Sequence, residues 1–188
     1  MKHIAKIISS NEHLDITQYR FSVKIFSISR GSKPRKIMNL ANDVRTKICI
    51  TQINNNDNLC CPRAIITSLT YHTNCIFGAK RRIKHIREGR KVQSELALEL
   101  CKRLGEYNEE GFTLEDIKYV EELLNVEIKV VYAKIFKSIV YSGEEKETKI
   151  YLYKNGKHFD VIDSMKAFLG SIYYCNECDK PCNNKNKH

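Results

Sequence analysis

Around residue 125 the apolar residues of this chain change their period, and that change limits the fold more than any other feature of the sequence. Before it, SELALELCKRLGEY at 94–107 sets Leu96, Leu100, Cys101 and Leu104 at the i, i+4, i+5, i+8 spacing of one helix face. Thr113 with Asp116 three residues on makes a capping-box start for a second helix at 113–124, and Asn125 marks its stop. After it, VEIKVVYA at 126–133, KSIVYS at 137–142 and TKIYLYK at 148–154 alternate or cluster β-branched and aromatic residues, as strands do. Asn155-Gly156 is a strong hairpin signal and leads into HFDVI at 158–162, a last strand. Helices followed by a run of strands give an α+β fold, with a helical front half and an antiparallel β-rich back half.

Upstream, FSVKIFSIS at 21–29 alternates like a strand and ends at Gly31-Ser32-Lys33-Pro34. Residues 1–45 read as an extension or as the first strands of the domain, which then occupies 46–163, with 164–188 a tail. KICITQI at 47–53 is a further strand, and NNNDN at 54–58 is a polar loop whose residues favour turns and helix caps. PRAIITSLTYH at 62–72 reads as a buried helix with Pro62 in its first turn, where a missing N–H costs nothing. The order is therefore strand, polar loop, Cys60, helix.

That order carries chemistry. A cysteine attacks as its thiolate and needs a base within hydrogen-bond reach. Cys60 lies where a helix begins, and the N–H groups and macrodipole of a helix N-terminus favour negative charge. The amides of the same loop, at Asp57, Asn58 and Leu59, could hold the oxyanion of a tetrahedral intermediate. Among six histidines, His158 is the candidate base because it opens a strand directly after a tight turn. Asp160, two positions on, projects from the same strand face and suits a carboxylate that orients the imidazole. Cys61 follows into the helix and reads as a core residue.

Asp57-Asn58-Leu59-Cys60-Cys61-Pro62-Arg63-Ala64 resembles the nucleophile motif of ovarian-tumour (OTU) cysteine proteases, Asp-Gly-x-Cys-Leu-Phe-Arg-Ala. Asp57, Cys60, Arg63 and Ala64 match, while Asn58, Cys61 and Pro62 depart. His158-Phe159-Asp160-Val161-Ile162 is similar to the closing His-aromatic-Asp/Asn segment of that family, in the same chain order. The resemblance implies a papain-type fold in which Cys60 is nucleophile, His158 base, Asp160 orienting acid and Asp57–Cys60 the oxyanion loop. It also implies ubiquitin or a ubiquitin-like protein as partner, and no cofactor for catalysis. A second resemblance joins KICITQINNNDNLCCPRAI to HFDVIDSMKAFLGSIYYCNEC. It is to the region preceding the polymerase in Polinton/Maverick-type elements with protein-primed DNA polymerases.

Charge and cysteine usage set the remaining expectations. The formal charge of +10 favours acidic partners. Seven of the twelve residues at 80–91 are Lys or Arg, which makes this stretch a solvated face or a phosphate-contacting surface for nucleic acid. No apolar run approaches the ~18 residues of a membrane span, and no signal peptide opens the chain, so the expected setting is intracellular, cytoplasm or nucleus. Of eight cysteines, Cys175, Cys178 and Cys182 crowd the tail. Cys175, Cys178 and His188 have the thiolate and imidazole types and short spacing that zinc favours. Two rivals to a deubiquitinating hydrolase follow: a protease that processes a larger polyprotein, and a non-catalytic, DNA-binding N-terminal module of a polymerase.

Overall fold

Eleven consecutive buried residues, 60 to 70, make the helix after the polar loop the centre of the molecule rather than one of its faces. A helix buried on every side must be covered on every side, and its neighbours do so, with Arg63, Thr67, Ser68 and Thr70 enclosed among its apolar residues. The computed structural model describes residues 49–72, 80–105, 111–132 and 138–182. The elements are β1 (Ile50–Thr51), α1 (Cys60–His72), α2 (Lys80–Arg87), α3 (Lys91–Arg103), α4 (Leu114–Leu124), β2 (Glu127–Tyr132), β3 (Ser138–Ser142), β4 (Lys149–Asn155), β5 (His158–Ile162), α5 (Met165–Leu169), β6 (Tyr173–Cys175) and β7 (Lys180–Cys182). The expected strand at 21–29 and the start of the one at 47–53 lie outside the described residues.

The architecture is mixed α+β. One sheet runs in the order β1-β5-β4-β2-β3, and α1 packs against β4 and β5 on one side and against α2 and α3 on the other. The back half is not wholly antiparallel, as the sequence suggested: β2 and β4 pair in parallel from Glu127↔Lys149 to Tyr132↔Lys154. The cause is topological. β3 folds back on one edge of β2 with a bulge at Val130/Val131, so β4 takes the other edge and runs with it. β5 then returns antiparallel to β4, and β1 antiparallel to β5.

Local signals act where they were read. Thr113 and Asp116 exchange both capping-box bonds at the start of α4, and Asn125 ends it with φ 51°. The β4–β5 turn differs by one residue from the Asn-Gly pattern. Asn155 pairs with His158, so Gly156 and Lys157 occupy the turn, with only Gly156 at positive φ (+61°). That is the type II′ pattern, which asks for glycine first. α3 starts at Lys91, before the apolar period begins, because Gly89 at φ +71° breaks the chain after α2 and Gln93 is buried.

The sheet is covered on both faces. Ile150 and Leu152 of β4 face α1, whereas Tyr151 and Tyr153 join a second cluster with Met165, Phe168 and Tyr174. The segment read as a tail thus forms α5 and the β6–β7 hairpin and lies in that second cluster. No helix among the described residues is long and apolar enough to cross a membrane.

Candidate functional site

The loop that delivers Cys60 is held by one carboxylate. Asp57 accepts from the Leu59 amide (3.0 Å), from Asn55 and from Arg63, whose guanidinium also forms a short ion pair with it. Burial opposes ionisation of Asp57, but the Arg63 bond and the Leu59 amide outweigh it and hold the carboxyl below its ordinary value. Arg63 is nearly enclosed in α1 and donates onward to Gln93 of α3 (3.1 Å). The Gln93 amide in turn bonds Thr67 and the Ile86 carbonyl, both at 2.9 Å. Asp57 and Arg63 therefore brace the loop to three helices. Asn58 keeps an ordinary backbone, since Asn125 and Asp179 alone among the described non-glycine residues have positive φ. The position does not require glycine.

Within the expected oxyanion loop the Leu59 amide is already engaged by Asp57. Arg63 N–H donates to the Leu59 carbonyl at 2.9 Å, the first helical bond of α1, and Pro62 has no N–H. The donors of the first turn that have no helical carbonyl to bond are those of Cys60 and Cys61. They join the loop amides of Asp57 and Asn58 as groups that could hold an oxyanion beside the Cys60 sulfur.

The β4–β5 turn brings His158 to this terminus. Cys60 Sγ lies 3.8 Å from the Lys157 carbonyl, one residue before the histidine. His158 Nε2 bonds Asp160 Oδ1 at 3.1 Å, and the Ile53 amide also donates to Oδ1, at 2.9 Å. Asp160 is fully buried, so its carboxylate fixes the ring rather than meeting solvent. His158 Nδ1 is enclosed and makes no hydrogen bond of ordinary length and angle. Burial pulls the imidazole toward its neutral form, but the Asp160 bond, and behind it the Cys60 thiol, push it up to about 9. At neutral pH the ring carries both protons.

Cys60 itself has no solvent exposure, and His158 has 7%. Cys61 is equally enclosed, and burial, reinforced by the charge of Cys60, pushes its thiol well above the ordinary value, which suits a core residue. Cys175 and Cys178 touch at the β6–β7 tip, far along the chain from this centre. No group of three His, Cys, Asp or Glu among the described residues is placed to hold a metal, and His188 lies outside them. α2 turns Ile83 and Ile86 inward and leaves Lys80, Arg81, Arg82 and Lys84 exposed, a basic face on an amphipathic helix. Reading the sequence singled out Cys60, His158 and Asp160, which the fold brings together. It missed Gln93 and Lys154, a buried lysine beneath the same helix terminus, because neither belongs to an apolar period or a motif.

No protein-family model matches the chain, and no curated protein matches it.

Proposed function

We propose that this chain is a thiol-dependent hydrolase of OTU-like, papain-type architecture that cleaves peptide or isopeptide bonds of ubiquitin or ubiquitin-like conjugates. The observation that supports this most is the convergence of Cys60, His158 and Asp160 at the first turn of α1. Cys60 attacks the carbonyl carbon as a thiolate, and the amides of Cys60 and Cys61 receive the oxyanion. The doubly protonated His158 gives a proton to the leaving amine, as the tetrahedral intermediate collapses to a thioester. Water then attacks, with His158 as base, and the acid leaves while the thiol is restored. Asp160 holds the ring through Nε2, which keeps Nδ1 as the nitrogen that exchanges the proton. The choice of ubiquitin rests on the motif around Cys60 and the His158–Ile162 segment.

The test uses ubiquitin carrying a thiol-trapping electrophile at its C-terminus. The wild type forms a covalent adduct and Cys60→Ala forms none. His158→Ala forms it roughly 10²- to 10⁴-fold more slowly, the usual worth of a general acid–base. No adduct from a folded wild type, or an adduct that persists in Cys60→Ala, overturns the proposal. Cys60-dependent cleavage of a longer precursor without that adduct favours polyprotein processing. The exposed basic face of α2 favours a second reading, a nucleic-acid-binding module. In that case DNA affinity falls steeply with salt while Cys60→Ala changes nothing.

A further inference from the structure

We propose that Lys154 is a positioning residue of this site, whose buried ammonium group supplies, in addition to the His158 imidazolium, a second positive charge against which the Cys60 thiolate forms. The inference rests on the hydrolase reading for its purpose but not for its measurement. Lys154 is among the largest side chains of the described residues with almost no exposure, at 1%. Strand period places it with Ile150 and Leu152 on the face of β4 that packs under α1. Its register partner across the hairpin is Phe159, between His158 and Asp160, and its Nζ lies 4.1 Å from the centre of the Phe159 ring.

Such a group needs a reason to be there. An ammonium removed from water is costly unless an opposite charge meets it. Among the described residues no carboxylate forms an ion pair with Lys154, and the Phe159 ring face offers a weaker substitute. The ionisable groups that act on it are Cys61 and Cys60 from α1 and Lys157 from the turn, and Tyr132 is its register partner on β2. Asp116 of α4 and Cys101 of α3 act on Cys61 from behind. Burial pulls Lys154 below an ordinary lysine, either sulfur favours its charge once ionised, and Lys157 opposes it. Cys61 is held protonated by burial. The anion left for Lys154 is the thiolate of Cys60, and the stabilisation is mutual.

The experiment measures iodoacetamide alkylation at Cys60, resolved from the other cysteines by peptide mass spectrometry, in wild type, Lys154→Met and Lys154→Arg over roughly pH 5 to 10. Lys154→Met moves the acid limb of the Cys60 profile to higher pH, and each unit of movement lowers the rate at any given pH on that limb about tenfold. Lys154→Arg restores the limb toward that of the wild type. A merely structural lysine would alter stability without moving the limb. The reciprocal reading keeps the native lysine: in Cys60→Ser the Lys154 Cε resonance titrates at lower pH than in wild type. An unmoved limb in a folded Lys154→Met variant, or an unmoved Lys154 titration in Cys60→Ser, overturns the inference. If the limb moves but no ubiquitin adduct forms, the hydrolase reading falls and the charge pair stands. If adducts form and the limb does not move, the charge pair alone falls.

Discussion

His158 is where burial and pairing contend most directly. Left alone in its enclosed position the ring would shed its proton, and the Asp160 carboxylate reverses that outcome. The linkage has a definite sign. The folded-state value near 9 lies above the ordinary 6.5, so the stabilisation is complete below about pH 6.5 and is lost as pH rises toward 9. Urea unfolding should therefore show a wild-type midpoint that declines across that window, with a flatter profile in His158→Gln. Equal slopes in the two proteins would remove the imidazolium from the folded state. Asp160 carries a second burden, because the Ile53 amide has its acceptor there. Asp160→Ala should cost about 1–3 kcal/mol by stranding that buried amide, measured by the same unfolding. Asp160→Asn keeps an acceptor for Ile53 and should lose stability less than activity, which separates the carboxylate's two roles.

At the scale of elements, the close approach of α4 to the β3 end is as exacting as the site. Glu121 turns inward to accept from the Ile128 amide and the Tyr141 hydroxyl. Its carboxylate lies where a Gly143 side chain would be: a Cβ there would fall 1.6 Å from Oε1. Gly143→Ala should cost about 1–3 kcal/mol, the usual range for overpacking, and a stability unchanged within error would mean that Glu121 swings aside freely. Nothing in the sequence marks this glycine, whereas Thr113, Asp116 and Asn125 announced the ends of the same helix. The difference is physical. Caps and turns are settled by residues within a few positions of each other, so they are legible in order along the chain. Gly143 against Glu121, Arg63 against Gln93 and the parallel β2–β4 pairing depend on which elements meet, and local period carries no trace of that. The candidate site divides along the same line. Cys60 and His158 showed through helix start and turn, but the enclosed thiol and the lysine beneath it did not.

Across the whole molecule the sheet separates two cores with different work. The α1 side holds Cys60, Phe159 and the long aliphatic cluster; the opposite side holds Tyr151, Tyr153, Met165, Phe168 and Tyr174. Charges fasten the second layer at its edge. Lys129 is enclosed on β2 and reaches Asp179 of the β6–β7 turn at 2.6 Å and Glu127 at 3.1 Å, while Tyr174 donates to Asp179 at 2.9 Å. Burial disfavours the Lys129 charge, and Asp179 more than restores it. The layer is thus both packed and ion-paired. Phe168 is its most enclosed aromatic, edge-on to Tyr153 with ring centres 5.7 Å apart. Phe168→Ala removes that ring with little scope for collapse between the sheet and a five-residue helix, and should lower unfolding free energy by about 3–5 kcal/mol. In the folded variant the alkylation profile of Cys60 should match the wild type, because the sheet stands between the cavity and the thiol. A loss under about 1 kcal/mol would show α5 to be an ornament of the fold rather than a wall of it. A shifted Cys60 profile would show instead that the two cores are mechanically joined through β4 and β5.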